Sequence, residues 1–348
     1  MRCVDDWIRS SLPASRNLWR RRAICLMACS WIPLIASAQA NVPPDKNSPQ
    51  EKRPAPEKQD GVVRTQMHNV KYRFADNVSV QINTMDGALV PTGGNEFPVF
   101  DDKNSFKIRI DAAEIAMSPV DLANLLNQHV FARPNSPLSG IKVETTQGQL
   151  KIKGRLRDRG DIPFETQGVL SATPDGRIRL HSERIKAIHV PVKGLMNAFG
   201  IDVSDLIKSG KVPGVQAEGD DMILDLGQIL PAPHIDGKVT AVRVERNSIV
   251  QTFGDKSAKP ATESGAQKPL SGNYMSYQGG KLRFGKLTMD DADVVIYDMN
   301  PADPLDFFLD HYKDQLASGY TKITTTFQLR VFVNDFDKIA KQARPAKK

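Results

Sequence analysis

Apolar and polar residues alternate with a period of two along most of this 348-residue chain. A chain with that pattern is committed to strands with one buried face and one wet face. Val70, Tyr72 and Phe74 alternate with Lys71 and Arg73. Val78, Val80 and Ile82 alternate with Ser79, Gln81 and Asn83, and Phe106, Ile108 and Ile110 with Ser105, Lys107 and Arg109. Asp86-Gly87, Gln147-Gly148 and Asp175-Gly176 punctuate such runs as turn signals. A meander is predicted over 141–145, 150–156, 164–173 and 177–190, with further strands over 222–226 and 239–250.

Helical signals are few. Ser118 suits an N-cap, Pro119 the first helical position, and Asp121 the positively polarised first turn. Leu122, Leu125, Leu126 and Val130 then recur at helical spacing and make one apolar stripe. Short helices are predicted over 192–199, presenting Leu195, Met196 and Phe199 before Gly200, and over 204–208. Near the C-terminus, strands over 282–289 and 294–297 precede a helix over 304–317, with Asp303 as its cap and a left-handed Gly319 as its stop. One long strand follows over 323–333. The fold class expected is α+β and mainly β: long curved antiparallel sheets packed on one or two helices.

All three cysteines lie within the first 29 residues. Arg20, Arg21 and Arg22 precede a mostly apolar run over 23–35, and Ala36-Ser37-Ala38 and Ala38-Gln39-Ala40 offer small-x-small cleavage sites. This is the order of a secretory signal peptide over 1–40, and the run is shorter than the roughly 20 residues that span a bilayer. The expected destination is the periplasm or the exterior of a bacterial cell. Two rival readings use the same residues: Leu26-Met27-Ala28-Cys29 resembles a lipobox that would anchor the chain through Cys29, and Arg21-Arg22 hints at twin-arginine export. Past residue 40 the chain has no cysteine. Disulfides, zinc–thiolate sites and cysteine nucleophiles are therefore excluded from the mature protein.

The proline-rich, charged stretch 41–61 reads as a disordered linker, because it holds too little apolar surface to fold. A single principal β-rich domain is expected over 62–338, with a mobile insertion over 255–273 and a basic tail over 339–348. The formal charge of +7 belongs to the ends. Residues 1–40 carry six arginines against two aspartates, and 339–348 carry Lys341, Arg344, Lys347 and Lys348. The domain between them is close to neutral, which argues against nucleic acid as a partner. The tail is suited to peripheral contact with an anionic membrane surface.

No catalytic motif is present. The six histidines form neither His-x-His nor His-Glu-x-x-His, there is no Gly-x-Ser-x-Gly, and Pro91-Thr92-Gly93-Gly94 lacks the lysine of a phosphate loop. Asp290, Asp291, Asp293, Asp298, Asp303, Asp306 and Asp310 cluster in sequence but miss the calcium-loop spacing. Asp303 and Asp306 are read instead as capping and first-turn charges of a helix. No metal, cofactor or enzymatic activity is expected.

Residues from about 110 to 252 resemble the LmeA-like family of exported phospholipid-binding proteins. The stretches that carry the likeness are SPVDLANLLNQHV, GQLKIKGRLRDRGDIPFETQGVL, GRIRLHSERIKAIHVPVKGLMNAFG and MILDLGQILPAPHIDGKVTAVRVERNSIV. That group is similar to the tubular lipid-binding folds, in which a curved sheet wraps a helix and holds acyl chains. The resemblance implies a non-catalytic envelope protein that binds a lipid or other apolar ligand in a groove of the sheet. Leu122, Leu125, Leu126, Leu195, Met196 and Phe199 are the expected lining. The alternative is a structural or assembly protein of the envelope that acts on a protein partner through its sheet edges and linker.

Overall fold

The structure is a computed structural model, and it describes residues 61–157, 161–182, 186–187, 212–254 and 270–343. The signal segment expected over 1–40 and the helices expected over 192–199 and 204–208, with Leu195, Met196 and Phe199, lie outside the described residues. The protein is α+β and mainly β, with large antiparallel sheets and few helices.

Three long strands, β1 (Val63–Ala75), β2 (Val78–Pro91) and β3 (Phe106–Met117), make an antiparallel meander. The chain then leaves to build a second, seven-stranded sheet from β4 (Leu138–Thr146), β5 (Gln149–Leu156), β6 (Ile162–Ala172), β7 (Ile178–Ser182), β8 (Lys186–Ala187), β9 (Val215–Glu218) and β10 (Asp221–Leu224). Its order is β4-β5-β6-β7-β10-β9, with β8 paired to β6. The chain returns to the first sheet through β11 (Ile235–Asp236), β12 (Val239–Glu245) and β13 (Ser248–Phe253). It completes that sheet with β14 (Tyr274–Gln278), β17 (Asp293–Asp298), β18 (Leu305–Phe308), β19 (Tyr320–Ile323) and β20 (Leu329–Val333). Between β14 and β17, β15 (Leu282–Phe284) and β16 (Leu287–Met289) form a separate hairpin. The large sheet has eleven strands in the order β12-β13-β3-β2-β1-β14-β17-β20-β19, with β11 alongside β3 and β18 alongside β1.

The alternation of the sequence is the alternation of burial. Val70, Tyr72 and Phe74 of β1, Val80 and Ile82 of β2, and Ile108 and Ile110 of β3 are all buried. Each such side chain contributes roughly 1.5–3 kcal/mol by leaving water. Ladder shifts in β1/β2 near Arg73 and in β2/β3 near Ile82 and Asp86 bend these strands. The expected turn at Asp86-Gly87 is one of these irregularities: β2 runs straight through it. Gly87 is needed there because a Cβ would lie 2.1 Å from the Arg109 carbonyl oxygen. Gln147-Gly148 and Asp175-Gly176 are turns as expected, joining β4 to β5 and β6 to β7.

The first helix spans Pro119–Leu125 and continues as a π turn over Leu126–Val130. Ser118 caps it, its hydroxyl accepting the Asp121 N–H at 3.0 Å. Two polar ties then set it between the sheets. The Asp121 carboxylate accepts the Ser79 N–H of β2 at 2.8 Å. The Asn127 amide exchanges hydrogen bonds with Ile141 of β4, donating to its carbonyl at 2.7 Å and accepting its N–H at 2.8 Å.

Two C-terminal expectations are corrected. Residues 305–308 are not helix but β18, which lies parallel to β1 with all four side chains buried, and the α-helix is confined to Tyr312–Ala317. A run buried on both faces carries no helical stripe, and Arg73 on β1 holds Asp306 in place at 2.5 and 2.6 Å. Asp303 and Asp306 are accordingly neither cap nor first-turn charge. The long strand over 323–333 is a hairpin: β19 and β20 turn back through Thr324–Gln328, with Phe327 at φ 62. The strand over 282–289 is likewise the β15–β16 hairpin. At the other end, the last helix, Phe336–Ala343, continues past Lys338 into what the sequence suggests is tail.

Gly319 is also not left-handed. Its demand is for space: a Cβ would lie 1.8 Å from the Phe332 carbonyl oxygen. That contact is with backbone, which no rotamer change can relieve. Gly319→Ala is expected to cost about 2–3 kcal/mol by forcing β20 aside. Urea denaturation checks it; a midpoint unchanged from wild type would show that β20 yields without cost.

Candidate functional site

The residues that face one another across the two sheets are almost all aliphatic. Met117 of β3 and Ile249 of β13 face Leu150 and Ile152 of β5, Leu170 of β6, Leu180 of β7 and Met222 of β10. Leu122, Leu125 and Leu126 of the bridging helix close one side. These groups enclose a cavity of about 40 Å³. A second cavity of about 30 Å³ lies along the inner face of the large sheet, among Tyr72, Val80, Ile82, Met85, Ile108 and Ile115. The short helix Leu226–Ile229, capped by Asp225, sits where the two meet. Met117, Leu226 and Gln251 line both cavities, so the two share a wall. Each volume holds about two or three waters. Both are well below the roughly 300 Å³ of a preformed small-molecule pocket. Admitting a larger molecule therefore requires the sheets to part.

Of the six residues expected to line a groove, Leu122, Leu125 and Leu126 line the first cavity. Leu195, Met196 and Phe199 are outside the described residues.

Two polar residues of the lining were missed by the sequence reading. Gln251 sits between Ile249 and Phe253 on the inward face of β13, and it is 6% exposed. The signal was present in the sequence as a polar residue at an apolar parity position. Tyr72 occupies the same kind of position on β1, between Val70 and Phe74, and is 3% exposed. Among the described residues neither side chain has a protein hydrogen-bond partner. Burial, with a smaller contribution from the Asp310 carboxylate, pushes the Tyr72 phenol far above its ordinary range. It is thus a neutral hydroxyl at any physiological pH.

The acidic residues near the C-terminus converge in part. Asp298, Asp303 and Asp335 bring carboxylate oxygens within 4.8 Å of one another. A cation of the protein already serves them: Lys338 Nζ lies 2.5 Å from Asp335 and 3.7 Å from Asp303. Asp298, whose carboxyl burial pushes above the usual range, accepts from the Asn273 amide at 3.1 Å. The group works as a staple that fixes the last helix to β17 and β18.

Comparison with family models, with curated proteins and with solved structures returns no match to this chain.

Proposed function

We propose that the protein is an exported, non-catalytic carrier or holder of a lipid or other apolar ligand, bound between its two sheets in the bacterial envelope. The observation that carries this reading is the pair of adjacent apolar cavities that share Met117, Leu226 and Gln251 as a wall. Together they mark a line of loosely filled apolar space between the sheets and along the large one, which could open to a chain-like molecule as the sheets part. The bridging helix is tied to β2 through Asp121 and to β4 through Asn127, and it packs Leu125 and Leu126 between the sheets. The sequence likeness to the LmeA-like phospholipid binders favours the same ligand class.

A second reading, a structural or assembly protein acting on an envelope partner, draws on the β19–β20 hairpin. Its strand β19 is a sheet edge, and Ile323 and Phe327 near its turn are 70% and 86% exposed. Exposed apolar residues on an unpaired edge invite pairing with another chain.

Native mass spectrometry of protein purified from its envelope without detergent separates the two. A lipid-sized added mass, removed by solvent extraction and restored on incubation with envelope lipid, is the expected result. The bare polypeptide mass, unchanged by incubation with lipid, would overturn the ligand reading. Recovery of a stoichiometric protein partner with it would establish the second.

A further inference from the structure

Gln251 and Tyr72 are more than nine-tenths buried, line the cavities and lack protein hydrogen-bond partners among the described residues. A buried amide or hydroxyl left unpaired destabilises the fold, and a ligand that supplies its partner recovers that loss on binding. The lining also says what the partner is not. Among the described residues that line the cavities there is no Lys, Arg or His. A carboxylate or phosphate buried there would have no counter-charge, and such burial is prohibitive.

Resting on the lipid-binding reading above, we infer that the interior selects amphiphiles with an uncharged hydrogen-bonding group, such as an alcohol or an ester, which it buries against Gln251. Gln251 lies in the wall shared by the two cavities, so the polar group sits inside the apolar interior. The amide can both donate and accept, so it serves a hydroxyl and a carbonyl equally. Any ionised headgroup of the same molecule is left outside the cavities.

The test is displacement of the neutral fluorophore N-phenyl-1-naphthylamine by 1-dodecanol, methyl dodecanoate, dodecanoate ion and dodecane. After residue 40 the chain has no tryptophan to interfere. Wild-type protein is expected to bind the alcohol and the ester about tenfold more tightly than the alkane, the worth of one buried hydrogen bond. In Gln251→Met, which keeps length and removes the amide, that preference is expected to fall to within about twofold of unity. Tyr72→Phe, three strands away on β1 and of nearly unchanged shape, is the control and is expected to keep the preference. Thermal melts accompany both, and neither variant should melt below wild type, since each removes an unpaired polar group.

Equal affinities for alcohol, ester and alkane in wild type would overturn this inference while leaving the lipid reading standing; Gln251 would then be served by water. A preference for dodecanoate ion would also overturn it. Failure of the fluorophore and all four compounds to bind would overturn the lipid reading and this inference together.

Discussion

Leu125→Ala is expected to lower stability by about 3–5 kcal/mol and to make the protein's stability depend on an apolar ligand. Leu125 is fully buried on the bridging helix and lines the cavity between the sheets. Removing its branched end costs the transfer free energy of three carbons plus a term for the void they leave. Here that void joins the existing 40 Å³, so collapse of the neighbours cannot erase it. If the interior is a ligand path, the enlarged space still takes an apolar chain, and ligand at about a hundred times its Kd restores roughly 2.7 kcal/mol. Urea denaturation with and without 1-dodecanol reads both effects. In an ordinary filled core the truncation costs as much, but the alcohol does nothing. Rescue of the variant is thus the informative half of the experiment, and its absence would count against the ligand reading.

How far the sequence could reveal this arrangement depends on the range of the interactions involved. Strands β1 to β3 and the Ser118 cap are legible because period and capping are local: each needs only residues a few places apart. The errors lie where long-range partners decide. Leu305-Asp306-Phe307-Phe308 is strand because β1 lies beside it and Arg73 takes up Asp306, some 230 residues away in sequence. The hairpin within 320–333 was hidden because apolar parity runs on through its turn. Ile323, Phe327, Val331 and Val333 share a parity, yet only the last two are buried. Gln251 shows the same limit at the site. Alternation assigns it to the inward face, but only the second sheet, an insertion between β3 and β11, makes that face a closed interior.

The second large effect concerns the strand that carries Tyr72. Its neighbour Arg73 points to the opposite face and grips Asp306 through Nε at 2.6 Å and a terminal nitrogen at 2.5 Å. The two side chains are only 14% and 6% exposed, and Lys71 stands at 3.8 Å as the other nearby cation. Arg73→Met is expected to cost about 3–5 kcal/mol, because it strands a buried carboxylate. Removing both charges should cost much less than removing one: Arg73→Met with Asp306→Leu leaves no charge to solvate and keeps apolar volume. A double-mutant cycle by urea denaturation is the check, with a coupling of at least about 2 kcal/mol expected. A single-variant cost below about 1 kcal/mol would show instead that Lys71 swings in to replace the guanidinium. In the ladder of β1 with β18, Tyr72 stands opposite Phe307 and Arg73 opposite Phe308. The ion pair therefore ties the short strand β18 to β1 on the outer face. Loss of the pair is expected to loosen β18 and the fold around it, whereas the double variant, its strands again neutral and packed, should regain that stability.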